Sequence, residues 1–214
     1  MISYFYKYPI ESIAVFVTLF PISAMLFRMD YKHTTLKYLF WCLIFKFIIE
    51  SLMLYMAIHK QNNLFLYNAY VCVSYAFFAR MFYSAFDLNV YKKVVIWCSL
   101  LFYCVLIYDW VYVGLEQSLM VSGTFQCLMI ILFVIMFFLE ITASLKIRNL
   151  LRYSLFWVCS GLLVYYCSLT FVSPLFNMLD RWDGPRDFEI LLMLPAVFEC
   201  FYLMTIFFGI LVSD

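Results

Sequence analysis

Three ionisable residues lie inside strongly apolar stretches, where their types and spacing could support binding chemistry. Lys46 and Glu50 are four residues apart in LIFKFIIESL, so on a helix they share one face and can form an ion pair. Glu199 follows Pro195 by one turn in LPAVFE, and a proline inside a helix is expected to kink it. A charge at the centre of a bilayer costs about 2.5–3.5 kcal/mol, so these residues are candidates for function.

Two interpretations of this cluster remain open. In the first, the charges line an outward-opening polar pocket that binds a small ligand or ion, with Lys46 as the counter-charge. The residues predicted to form that pocket are Lys46, Glu50, Asn68 and Glu199, with Asn62 and Asn63 at its rim. In the second, Lys46 and Glu50 neutralise each other at a packed interface and a protonated Glu199 bonds to a neighbouring helix, so the charges are structural.

The composition of this chain indicates that its solvent is a lipid bilayer. Of its 214 residues, 67% are hydrophobic and 13% are charged, well beyond the apolar content of soluble domains. The net charge of +1 and the short loops argue against a nucleic-acid-binding surface. All eight cysteines fall in apolar stretches without a CxxC or Cys/His cluster, which argues against disulfides and metal sites.

Seven apolar stretches have the length that a helix needs to cross about 30 Å of hydrocarbon. They are Tyr8–Phe27, Tyr38–Ile58, Leu64–Phe86, Val94–Val113, Ser118–Ile141, Tyr153–Met178 and Phe188–Val212. The connections are short, which predicts a single transmembrane helical domain over residues 1–214. The first stretch is interpreted as a mature helix, because no small-residue cleavage site follows it.

Lysine and arginine positions predict the orientation, because they favour the cytoplasmic side. One side holds eight of them: Arg28, Lys32, Lys37, Lys92, Lys93, Lys146, Arg148 and Arg152. The other side holds four: Lys7, Lys60, Arg181 and Arg186. The sequence therefore predicts an N-terminus outside and a cytoplasmic C-terminus.

Other polar residues in the stretches have structural explanations. Arg80, Asp109 and Glu140 lie near the ends of their stretches, so snorkelling to the interface accounts for them. Ser122, Gln126 and Glu140 line one stripe of the fifth stretch, which is typical of hydrogen bonding between helices. Both histidines lie in predicted loops and no GxSxG occurs, so the sequence predicts no catalytic residue, metal site or cofactor.

Two motifs carry a resemblance to a family. The run from Glu50 through Asn62, Asn63, Leu66, Tyr67 and Tyr70, together with GLLVYYCSLTF over Gly161–Phe171, resembles a loosely defined group of uncharacterised bacterial seven-helix integral membrane proteins. The resemblance implies a module that senses a signal and works with signalling proteins. Asn68 stands where a His is expected, and Ser74 where a second acid is expected.

These observations predict an all-α, seven-helix transmembrane bundle in the bacterial inner membrane. Its predicted role is that of a sensor or accessory signalling component. It is predicted to bind a ligand and not to act as an enzyme. The alternatives are a homo-oligomeric pore or membrane effector associated with defence, and a lipid-modifying membrane enzyme. The predicted partners are the lipid bilayer and either further copies of the chain or a separate cytoplasmic signalling protein, but no nucleic acid.

Overall fold

The computed structural model describes residues 9–28, 34–114, 117, 119–144, 149–179 and 185–212. For residues 9–12 and for those described within 173–192, it describes the backbone only. All of its regular structure over these ranges is helical. The elements are α1 (Pro9–Val17), α2 (Leu19–Arg28), α3 (Thr34–Ile58), α4 (Leu64–Ala85), α5 (Asn89–Tyr112), α6 (Met120–Ser144), a 3-10 turn (Leu150–Arg152), α7 (Ser154–Leu179) and α8 (Pro185–Val212).

The first apolar stretch is divided into two helices, which the sequence analysis did not predict. The division falls at Thr18, whose hydroxyl donates to the carbonyl of Ala14 at 3.2 Å. Pro21 explains the position, because it has no N–H for the carbonyl of Val17 and its ring clashes with that carbonyl in a continuous helix. The other six stretches each form one α-helix over the described ranges, so the predicted order of elements is confirmed.

Five of these helical stretches, counted over the described residues, are long and apolar enough to cross a membrane. They are α3, α5, α6, Ser154–Val172 of α7 and Met193–Val212 of α8. The less apolar α4 has 22 residues and carries Asn68, Arg80 and four tyrosines. Large apolar side chains such as Trp97 and Phe171 are exposed at 71% and 74%. An apolar outer surface of this kind is compatible with an integral membrane protein.

The helices pack so that their ends alternate between the two ends of the bundle. At one end, Arg28 donates to the carbonyls of Ile210 and Leu211 at 2.7 and 2.8 Å, which joins α2 to α8. The hydroxyls of Ser84 and Thr35 join α4 to α3 there at 3.3 Å. Connections at the other end join α3 to α4 and α5 to α6. We call these the Arg28 end and the Asn63 end.

Neighbour contacts place the helices around a shared interior. α3 packs on α4, α4 on α6, α6 on α7, and α7 on α8, while α1 and α2 lie between α8 and α3. α5 packs outside this ring against α4 and α6. Residues from the second, sixth and seventh apolar stretches can therefore meet in the interior.

Two glycines set the close approach of α7 and α8. A Cβ on Gly161 would lie 2.0 Å from the Thr205 hydroxyl, and one on Gly209 would lie 2.4 Å from the Cβ of Trp157. A Cβ at either place would force its neighbour to shift. The two glycines therefore allow α7 and α8 to pack closely.

Candidate functional site

Lys46 lies at the centre of a three-residue ion cluster. Its ammonium group donates to the carboxylates of Glu50, one turn further along α3, and Glu199 on α8. Lys46 is 4% exposed, and the two glutamate side chains are 13% and 14% exposed. The expected contact between Lys46 and Glu50 is confirmed, as is the expectation that Glu199 faces the same interior as Glu50.

Aromatic side chains surround the cluster. The Lys46 ammonium lies 5.5 Å from the ring centroid of Tyr70 on α4, a distance at which a cation is attracted to the ring. Tyr165 of α7 stacks on Tyr202 of α8 with centroids 5.4 Å apart, and both lie within electrostatic range of Lys46 and Glu199. Four helices thus contribute to one interior site.

A partly open pocket of about 210 Å³ adjoins the two acids. Its wall is mainly apolar and small, and includes Ala14 of α1, Ala57 of α3 and Ala196 of α8. Glu50 and Glu199 both line it. The Oε2 atom of Glu50 is buried and has no hydrogen-bond partner among the described residues. A buried acceptor is costly unless a donor reaches it, and the pocket beside Glu50 offers space for one.

The three asparagines predicted for the pocket occupy different environments. Asn63 lines it, and its amide donates to the carbonyl of Met53 at 3.2 Å. Asn62 is exposed and accepts a hydrogen bond from the backbone of Leu64 at 3.0 Å, so it supports the start of α4. Asn68 is buried and donates to the carbonyl of Gln117 at 2.9 Å. Neither Asn62 nor Asn68 is among the residues that line the pocket.

The polar stripe of α6 forms hydrogen bonds between helices, as predicted. Gln126 donates to the hydroxyl of Ser74 on α4 at 3.0 Å, with both residues buried. A carboxylate oxygen of Glu140 accepts from the backbone of Asp87 and Leu88 at 3.0 and 2.7 Å. These partners belong to the packing of α4, α5 and α6.

Snorkelling was the wrong explanation for Asp109. Its side chain is only 2% exposed, and its carboxylate accepts from the backbone N–H of Ser122 at 2.7 Å. Ser122 is the third residue of α6, so Asp109 caps the N-terminus of that helix from the end of α5. This cap depends on how the chain turns between α5 and α6. The lengths of the two apolar stretches do not predict that turn.

Sequence reasoning also missed the tyrosines as site residues. Tyr70, Tyr165 and Tyr202 were read as part of apolar stretches, although a phenol in such a stretch has a polar end that needs a partner. Tyr70 is two residues from Asn68 and therefore points to nearly the opposite face of α4. This geometry explains why Tyr70, rather than Asn68, contacts Lys46.

The cluster has one more acid than base, which determines what it can bind. One ammonium group between two carboxylates leaves a net negative charge when all three residues are ionised. No group of three metal-ligating side chains occurs in the part of the chain that the structure describes.

Comparisons with protein-family models, curated proteins and solved structures gave no match.

Proposed function

We propose that this protein is an integral membrane protein of the bacterial inner membrane, a sensor or accessory signalling component that binds a small organic cation at Glu50 and Glu199. The observation that carries the proposal is the buried Oε2 of Glu50, a residue that lines the pocket: this atom has no hydrogen-bond partner among the described residues. A ligand ammonium group can donate to this atom and can balance the second carboxylate when both acids are ionised.

Pocket size and lining favour an organic cation over a metal ion. The volume of about 210 Å³ is below the roughly 300–1,000 Å³ of pockets for drug-sized ligands. Alanine, leucine and methionine side chains on the wall suit alkyl groups, whereas Ca²⁺ needs six to eight oxygen ligands. A small alkylammonium ion therefore fits better than a bare cation.

α8 connects this pocket to the other end of the bundle. Glu199 lies at the pocket, and the carbonyls of Ile210 and Leu211 hold Arg28 at the Arg28 end. The rise between Glu199 and Ile210 is about 16 Å along a helix. A ligand that changes how Glu199 is held can shift this helix and its contact with Arg28. The positive charges predict that this end faces the cytoplasm, where a second protein or further copies of the chain would receive the signal.

A matched pair of probes tests the binding step. The purified protein in detergent is titrated with tert-butylammonium and, separately, with neutral tert-butanol, at constant ionic strength. We expect tert-butylammonium to raise the melting temperature of the wild type, because a ligand bound only to the folded state stabilises it. We expect Glu50→Gln to fold but to lose this response.

Glu140→Gln is the matched control, because it removes a carboxylate at the Arg28 end and leaves an amide oxygen that can accept the same bonds. It should respond like the wild type. Equal shifts with both probes, or a full response in Glu50→Gln, would contradict binding at this pocket.

A further inference from the structure

A second cavity lies between α4 and α5, on the opposite side of α4 from the ion cluster. It is a groove of about 470 Å³ whose apolar surface includes Ala76, Ala79, Val95, Ile96 and Leu100. The small side chains of Ala76, Ala79 and Ser99 and the larger Tyr83 and Tyr103 also line it. Ile96 and Leu100 are about half exposed, so the groove opens onto the outer surface of the bundle.

Two cations lie against the ring of Tyr83, which lines the groove together with Arg80. The Arg80 guanidinium lies 5.3 Å from the ring centroid of Tyr83, and the Lys92 ammonium lies 5.8 Å from the same centroid. Arg80 is exposed and also donates to the Tyr38 hydroxyl at 3.3 Å. Within the described ranges, no carboxylate forms an ion pair with either cation.

Helix positions place these charges at the depth of a lipid headgroup, given a membrane-embedded bundle. Arg80 precedes the last residue of α4, Ala85, by about 7.5 Å, and Lys92 lies within the first turn of α5. Along α5 the groove is lined from Val95 to Tyr103, a rise of about 12 Å, which is most of the thickness of one hydrocarbon leaflet, roughly 15 Å. Charge at the interface and a groove of that length match one lipid molecule.

We infer that the groove between α4 and α5 binds an anionic phospholipid, with its phosphate at Arg80 and Lys92 and an acyl chain along Ala76, Ala79 and Leu100. Arginine and lysine both bind phosphate, and basic sites between transmembrane helices recognise anionic headgroups. A helix from a second copy could cover the same apolar surface, but an anionic headgroup also pairs with both cations. This charge pattern favours a lipid.

Lipid selectivity tests the inference. Spin-labelled phosphatidylglycerol and phosphatidylcholine with identical chains are compared for their association with the reconstituted wild-type protein. We expect a preference for phosphatidylglycerol that falls about fivefold for each of Arg80→Gln and Lys92→Gln. Lys93→Gln is the matched control, since Lys93 is exposed on a neighbouring face of α5, and it should keep the preference.

Two further variants separate the parts of the site. Arg80→Lys should retain the preference, and Ala76→Trp should weaken association of both lipids because the indole fills the groove. Excess inorganic phosphate should not abolish the preference, since a free anion lacks the chain. Equal affinity for the two lipids in the wild type, or an unchanged preference in both Gln variants, would overturn the inference. A concentration-dependent dimer that covers the groove would also overturn it.

Discussion

Lys46→Met is the most informative single perturbation, because it leaves Glu50 and Glu199 facing each other without the ammonium that both bind. Removing one partner of a buried ion pair costs about 3–5 kcal/mol. For a protein of this length, each kcal/mol corresponds to about 2–4 °C, so we expect the melting temperature to fall by about 6–20 °C. Thermal unfolding of the purified protein in detergent measures the change.

Variants that remove the two acids complete a mutant cycle with Lys46→Met. Glu199→Gln alone leaves one cation with one anion and should change stability by less than Lys46→Met. The triple variant Lys46→Met/Glu50→Gln/Glu199→Gln contains no buried charge, so it should recover most of the lost stability. Lys37→Met is the control, because Lys37 is exposed on the same helix and surface changes are usually within about 0.5 kcal/mol.

Two results would refute this reasoning. One is a loss in Lys46→Met no larger than that in Lys37→Met, which would mean that Lys46 is not held between the acids. The other is a triple variant that is less stable than Lys46→Met, which would mean that the polar groups act through separate contacts.

Gly209→Ala should destabilise the protein by about 1–3 kcal/mol through overpacking, measured by thermal unfolding, whereas Gly123→Ala, with open space around it, should not. Asp109→Ala should cost about 0.5–2 kcal/mol, because the N-terminus of α6 loses its cap; Asp109→Asn should cost less in the same assay. In a cysteine-free background, Gln61→Cys should react with an impermeant reagent added outside intact cells, and Asn149→Cys should react only after permeabilisation.

Each of these has a clear contrary outcome. Equal stability of the two glycine variants would remove the argument for close packing of α7 and α8. No loss in the Asp109 variant would mean that the cap is unimportant. Labelling of both cysteines from outside would contradict the alternating ends, and the reverse labelling would contradict the orientation predicted from the positive charges. Lys7, Lys32, Lys146, Arg148, Arg181 and the side chain of Arg186 contribute to that orientation but lie outside the described residues.

The order of helices could be predicted from the sequence because apolar length is a local property. The bond between Lys46 and Glu50 was also predictable, since helical periodicity places residues four apart on one face. The division at Thr18 was missed, although Pro21 was a visible signal for it. The length of an apolar stretch does not indicate whether the helix within it is interrupted.

The parts of the site that depend on neighbouring helices were harder to predict. Glu199 was placed with Glu50 because it lies one turn after Pro195 and because charges in apolar stretches are expected to face the interior, and the two acids do meet at Lys46. The same expectation failed for Asn68, because α4 has neighbours on several faces and a buried asparagine can find a backbone partner on any of them. The packing of each helix against its neighbours, rather than the position of a residue along its own helix, decides which residues meet.

The central claim is that an organic cation binds at the carboxylates of Glu50 and Glu199, and infrared difference spectroscopy measures this directly. Protein labelled with ¹³C-glutamate is perfused alternately with tert-butylammonium and with a bulky cation that exceeds the pocket. The proposal predicts a shift of glutamate carboxylate bands in the wild type and its loss in Glu50→Gln, with Glu140→Gln unchanged. An unshifted wild-type spectrum, or the same shift in Glu50→Gln, would contradict it.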